Sequence, residues 1–311
     1  MKTVNCIGSC LVDILLSPIT KYPQPKIRTN IFVDELKSSP GGGATNCSLT
    51  LAKLGTSVKL FSKIGNDLQG DYLQEELNTA GVQTKSTLRR SEKRSTSTVI
   101  VGVDQVGERS FMSYHGALSD FKLNDLELKE LFDCDILLYP DLFNLPMIDG
   151  TPLCELFENA QRRGILTILD ETWGISGLHK GVFESCLPFV DYLMPSADDL
   201  GFLYPGEKPE ELAKFFVRKG VKNVVLKLGS KGVFVLNNEI SLELPAIAEK
   251  SEVVDTTGAG DNFNAGFIYG LSNGHPLRWC ADFGSKVAAL SVQQLGASVQ
   301  KEELKFLFEA N

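Results

Sequence analysis

The sequence predicts an α/β fold, a doubly wound and mostly parallel sheet with helices on both faces and a small β-sheet lid beside it. Three observations carry this. Short apolar, strand-like runs alternate with helical stretches along most of the chain, two strand-rich segments interrupt that rhythm, and 311 residues at 43% hydrophobic content suffice for one large core. No low-complexity tail, like-charge run, Pro/Ser-rich linker or internal repeat divides the chain, so a single domain over residues 1–311 is expected.

Taken in order, "TVNCIGSCLVDILL" reads as a buried strand with Gly8 and Asp13 near its end. The β-branched, alternating "IRTNIFVDELKSSPGGG" reads as strand rather than helix. "ATNCSLTLAKLG" has apolar or small residues at helical spacing and stops at Gly55. "SVKLFSKIG" is a short strand, followed by a helix in "NDLQGDYLQEELNTAG" with Asn66 or Asp67 as N-cap and Gly81 as its stop. In "TSTVIVGVDQVGERSFMSY" two strand-like runs flank "DQVGER", a β-hairpin pattern; residues 96–114 and 27–38 are therefore the expected lid strands. Alternation resumes with strands at "DILLY", "ILTILD", "DYLM" and "NVVLKLG", separated by helices such as "PEELAKFFVRKG". Right-handed connections then give a parallel sheet, with the ligand site beyond the carboxyl ends of its strands.

A net charge of −8 argues against binding a nucleic-acid backbone, which requires a basic surface. The seven cysteines form no C-x-x-C pair and their number is odd, which reads as reduced thiols and a cytoplasmic setting. Asp13 interrupts the first apolar run and Lys2 is its only flanking charge, against a lipoprotein signal, and no run reaches the roughly 18 residues of a membrane span. His115, His179 and His275 lie far apart without metal-ligand spacing, and G-x-S-x-G is missing, so neither a zinc site nor a serine hydrolase is expected.

The chemistry concentrates in "DTTGAGDNFNAG", Asp255 to Gly266. Gly258, Ala259 and Gly260 expose successive backbone N–H groups ahead of a helical pattern, whose N-terminus attracts an anion. Asp261 falls in the first helical turn, where a carboxylate also complements the helix dipole. A dinucleotide fingerprint would need glycine at Phe263, and a Walker A loop would need Gly-Lys-Ser/Thr; both are missing. An anion cradle joined to a carboxylate suits phosphoryl transfer, in which amides stabilise the moving phosphoryl oxygens while an acid takes the proton of the attacking hydroxyl.

"VVDTTGAGDNFNAGF" resembles the D-T-x-G-A-G-D motif of the ribokinase-like, or PfkB-type, carbohydrate kinases, and "PGGGATNCSLTLAKLG" with "SKIGNDLQG" resembles their N-terminal pair. Order and spacing match over essentially the whole chain. The resemblance implies ATP as donor, Mg2+, often a monovalent cation such as K+, and a sugar or sugar acid of the ribose, fructose or 2-keto-3-deoxygluconate type as acceptor. It makes Asp261 the base and Gly258, Ala259 and Gly260 the hole for the γ-phosphoryl group. Asp13, Gly42, Gly43 and Asn46 become sugar-binding, although Asp13 as a strand-end turn residue and Asn46 as a helix-face amide are the plain alternatives.

On the donor side "VVLKLGSKGVFV" resembles the family's strand–loop–strand below the nucleotide, implicating Lys227, Gly229 and Gly232. Lys227 stands where many members carry Thr, and either contacts phosphate or turns outward. "DYLMPSADDLGFL" occupies the place of the Asn-x-x-Glu motif that organises Mg2+, offering Ser196 and Asp199, with Asp198 as another acid and helix capping as the simpler role of Ser196. By the same resemblance Ser285 approaches the adenine, and "QQLGASVQ" closes a K+ site with Asp255 and Thr257. The lid excludes water from the sugar, with Phe111 and Tyr114 as candidates to face it, and pairs with its twin in a homodimer. A nucleoside or phosphosugar acceptor is the alternative, the latter served by Lys26, Arg28 and Arg109; a silent sugar-binding protein is the other.

Overall fold

Apolar strand runs and capped helices appear where residue patterning puts them, in a computed structural model that describes residues 2–20, 30–105, 109–172, 180–249, 253–294 and 296–309. The chain opens with β1 (Val4–Ile7), continues as β2 (Leu11–Ile19), returns as β3 (Glu35–Gly41) and enters helix α1 (Gly43–Lys53). Next come β4 (Val58–Gly65), α2 (Leu68–Ala80), β5 (Leu88–Ser91), β6 (Thr98–Asp104), β7 (Arg109–Tyr114) and the short α3 (Leu128–Leu131). Alternation then runs through β8 (Ile136–Leu142), α4 (Thr151–Arg162), β9 (Leu166–Glu171), α5 (Lys180–Cys186), β10 (Tyr192–Leu193), α6 (Ala197–Leu203), α7 (Pro209–Arg218) and β11 (Asn223–Lys227). Strands β12 (Val233–Leu236) and β13 (Ser241–Leu244) precede α8 (Ala259–Ser272), α9 (Leu277–Ser291) and α10 (Lys301–Glu309).

The described strands form a nine-stranded sheet, β13-β12-β11-β10-β9-β8-β1-β4-β5, parallel except for β12 and β13. Successive residues of a strand face opposite ways, and each face has its own core. Ile7, Leu137, Tyr139 and Leu226 pack with Phe157, Phe183 and Phe216 on one side. Cys6, Leu138 and Val225 pack with Leu51, Leu77, Phe263 and Phe267 on the other. Because β1 has β4 on one flank and β8 on the other, the strand order reverses there, and a crevice opens at the carboxyl ends. Asp67 is the N-cap of α2, accepting from Gly70 N at 2.9 Å, and Gly81 ends that helix in the left-handed conformation. Among the described residues no helix is long and apolar enough to cross a membrane.

The lid is a four-stranded sheet, β3-β2-β6-β7. Two expectations shift. The first apolar run is two strands, because Ser9 leaves the main sheet to bond Asp141 and Leu11–Ile19 pairs instead with β3 and β6. The early lid strand falls at Glu35–Gly41 rather than 27–38, taking in Pro40, which an edge strand tolerates; residues 27–29 lie outside the described residues. In register, Asp13 stands beside Val99 and Val99 beside Ser113, while Val101 stands beside Phe111 and Val103 beside Arg109. Asp13, Phe111 and Arg109 therefore share one face, and Tyr114 lies on the other with Met112.

Candidate active site

One cavity of about 350 Å³ lies where β1, β8, β9 and β11 end, under the lid. It gathers Asp13 from the lid, Gly42, Gly43 and Asn46 from the start of α1, Ser196 and Asp199 from the start of α6, and Lys227 from the end of β11. Thr257, Gly258, Gly260 and Asp261 complete that wall. Among the described residues Asp255, Ala259, Gly229, Gly232 and Ser285 do not line the cavity. Gly229 and Gly232 shape the connection from β11 to β12, and the Ser285 hydroxyl donates to Ala281 O of its own helix at 2.9 Å.

Gly258 caps α8 with φ 70, a left-handed conformation that glycine adopts without strain. The first intrahelical bond runs from Asn262 N to Gly258 O at 2.9 Å, so the amides ahead of it belong to the open helix end. Ala259 N spends its hydrogen on Thr256 O at 3.2 Å. Asp261, next in the turn, accepts from Asn46 Nδ2 at 2.8 Å, and Thr50 Oγ1 donates to Asn262 Oδ1 at 2.7 Å, clasping α1 to α8. Burial pushes the Asp261 carboxyl up to about 6, the Asn46 hydrogen bond opposing, the Asp141 charge adding and the Lys227 ammonium opposing.

Asp141, at the end of β8, is a hub that patterning did not single out. Its carboxylate accepts from Ser9 Oγ at 2.6 Å, Ser9 N at 2.8 Å, Ala44 N at 2.9 Å and Gly43 N at 3.1 Å, tying the β1 exit to the start of α1. Burial still pushes this carboxyl above its ordinary range against those four bonds. Gly43 has to be glycine: a Cβ there would stand 2.8 Å from Asp141 Oδ1 and 3.2 Å from Asp261 Oδ1.

Lys227 turns inward. Its ammonium ion-pairs with Asp170, which also accepts from Asn264 Nδ2 at 2.6 Å, so β9, β11 and α8 are cross-braced beside Gly260. Burial pulls the ammonium down, but Asp170 with Glu171 and Asp261 more than offsets this and leaves it raised. Next to Asp170, both oxygens of Glu171 are buried without a hydrogen-bond partner, and burial with the charges of Asp170 and Asp199 drives this carboxyl strongly up. Ser196 caps α6, accepting from Asp199 N at 2.9 Å while donating to Asp199 Oδ2 at 2.8 Å. Among the described residues no three His, Cys, Asp or Glu side chains converge on one point. An orphaned Glu171 carboxylate close to Asp199 nonetheless fits a hydrated divalent cation, since Mg2+ keeps several waters and takes few protein ligands.

Asp13 sits on the lid side, its carboxyl pushed up to about 7 by burial and by the charges of Asp261 and Asp255. Asp255 and Thr257, the pair expected to hold a monovalent cation, both bond Arg109 of β7 instead. Lys26, Arg28 and His179 lie outside the described residues. Asp141, Asp170, Glu171 and Asn264 went unnoticed in the sequence, yet three of them sit at the carboxyl ends of β8 and β9, Asp141 two residues beyond the run "DILLY", Asp170 last in "ILTILD" and Glu171 next after it.

A profile of the pfkB family carbohydrate kinases matches residues 1–304. An ATP-dependent 6-phosphofructokinase of Thermoanaerobacterium thermosaccharolyticum is 28% identical over 311 residues, covering 97% of this chain and 91% of the relative. A 2-dehydro-3-deoxygluconokinase of Haemophilus influenzae is 25% identical, covering 99% and 98%. The crystal structure of a ribokinase from Thermotoga maritima superposes with a TM-score of 0.84 at 28% identity, covering 99% of this chain and all of that one. A glycine-capped helix end, an acid of raised pKa in its first turn and a lid over both thus coincide with an almost end-to-end family match, and the chain belongs to the pfkB family of carbohydrate kinases.

Proposed function

We propose that the chain moves the γ-phosphoryl group of ATP to a hydroxyl of a small sugar or sugar acid held under the lid. The observation that carries this reading is Asp261: a half-buried carboxylate lining the cavity beside an open helix end, its pKa lifted to about 6, near the value a general base needs at neutral pH. Asp261 takes the proton as the acceptor oxygen bonds phosphorus and the bond from phosphorus to the β-phosphate oxygen breaks, releasing ADP. Asn46 holds the carboxylate in line from the α1 side. The Gly258 and Gly260 amides, rather than that of Ala259, which bonds Thr256 O, face the charge that develops on the phosphoryl oxygens, with Lys227 close by. Asp13 receives a hydroxyl of the sugar from the lid side. Mg2+, organised through Glu171 and Asp199, supplies charge neutralisation of the phosphates when bound.

The described lining residues suit an unphosphorylated sugar better than a phosphosugar. Among the described lining residues Lys227 is the cation, and it is already paired with Asp170, as Arg109 is with Asp255. The outer face of the lid exposes Leu36, Met112 and Tyr114, which supports pairing of two lids in a twofold dimer.

The test is ADP release from Mg-ATP over a panel of sugars, sugar acids, nucleosides and phosphosugars, with Asp261→Asn in parallel. One acceptor class should stand out, and the variant should lose about 10²-fold or more in kcat while still binding that acceptor. Equal turnover by the variant would remove Asp261 from the chemistry, and turnover of phosphosugars alone would overturn the acceptor class.

A further inference from the structure

Family resemblance calls for a monovalent cation at Asp255 and Thr257, and the residues as arranged do not fit one. Arg109 Nη2 ion-pairs with Asp255 Oδ1, and Arg109 Nη1 donates to Thr257 Oγ1 at 2.9 Å. The same Asp255 Oδ1 accepts from Thr257 N at 2.7 Å, and Oδ2 accepts from Gly296 N at 2.8 Å. Asp255 is only 1% exposed, so its charge has to be compensated from within the protein. Burial opposes ionisation, but the bonds from Gly296 and Thr257 and the charge of Arg109 together hold its carboxyl below the ordinary range. A second cation on Oδ1 would meet the guanidinium at close range and would have to strip hydrogen bonds already made.

Arg109 is well placed to act on the phosphoryl site without touching it. Asp255 and Thr257 lead directly into Gly258, the cap of α8, so whatever holds them sets the turn that presents the amides. The guanidinium comes from a lid strand 146 residues away in sequence, on the face that also carries Asp13. We propose that Arg109 replaces the monovalent cation, so that the lid itself supplies the positive charge that orders the Asp255–Gly258 turn and the chain does not require K+. Arg109 is thereby a positioning residue, acting through Asp255. Its effect on transfer rests on the kinase reading above; its occupation of the cation position does not.

The test compares the intact protein with Arg109→Ala and Arg109→Lys at constant ionic strength in tetramethylammonium, lithium, potassium or rubidium chloride. Melting without nucleotide or sugar should be the same in all salts for the natural protein and for Arg109→Lys. The alanine form should melt lower in tetramethylammonium and recover in K+ or Rb+ but not Li+. Thallium NMR should detect a bound Tl+ in the alanine form alone, displaced by K+. Transfer by the alanine form should fall on the order of tenfold without K+ and return when K+ is added. A natural protein that binds Tl+ at a site lost in Asp255→Asn, or an alanine form indifferent to K+ by melting and by Tl+, overturns the proposal. Arg109→Gln provides the same comparison if the alanine form does not fold. Failure of every form to turn over any acceptor would count against the kinase reading, while the melting and Tl+ arms still decide the role of Arg109.

Discussion

Asp261 sits in a first helical turn, where a carboxylate ordinarily ionises easily, yet its pKa is raised to about 6 because burial outweighs the Asn46 hydrogen bond and the Lys227 charge. A base must be deprotonated to act, so raising its pKa moves the loss of activity to higher pH. We expect kcat/KM to be flat above that value and to fall about tenfold per pH unit below it, measured with saturating Mg-ATP in overlapping buffers. Asn46 donates to the charged form, so Asn46→Ala should shift the acid limb upward; a limb that stays in place would mean another group titrates. Asn46, expected to touch the sugar, lines the cavity and gives one amide hydrogen to the base.

Three elements meet at a single buried ion pair. Lys227 at the end of β11, Asp170 on β9 and Asn264 on α8 brace one another across the back of the cavity, where a solvent-facing lysine was the open alternative. Lys227→Met would leave Asp170 charged, buried and unpaired, which is expected to cost roughly 3–5 kcal/mol by urea unfolding. Lys227→Met combined with Asp170→Leu should recover most of that stability, because two apolar groups need no partners. Transfer should remain low in both, since the charge beside Gly260 is gone. Recovery of activity in the double variant would reduce Lys227 to a structural role.

At the scale of the molecule, the two faces of the lid differ in what they carry. Its inner face carries Asp13, Arg109 and an exposed Phe111, whereas its outer face leaves Leu36 66%, Met112 50% and Tyr114 51% exposed, apolar side chains on both edge strands that a second lid would cover. Sedimentation should therefore find a dimer, and Leu36→Asp with Met112→Asp should yield monomers that retain the main-domain fold by circular dichroism. A monomeric natural protein at micromolar concentration would remove the lid pairing.

Local pattern was enough for much of this. Alternating runs, the Asp67 and Gly81 helix ends and the glycine turn before Asp261 depend on neighbours a few residues away, so the strand and helix alternation, the capping and the start of α8 were legible in the amino-acid string. The division of "TVNCIGSCLVDILL" was not, because an apolar run does not reveal which sheet each half will join, and β2 found its partners in β3 and β6. Nor were the roles of Asp141, Asp170 and Glu171, whose acidity and bonding come from distant groups brought together at the strand ends. Arg109 is the clearest case: in the sequence it reads as a cation for a phosphosugar, and only the packing of the lid over the turn at Asp255 makes it a half-buried counterion to that carboxylate. Helix and strand preference is a property of short segments, whereas burial and pairing of charge belong to the packed chain, and there the chemistry of this site was decided.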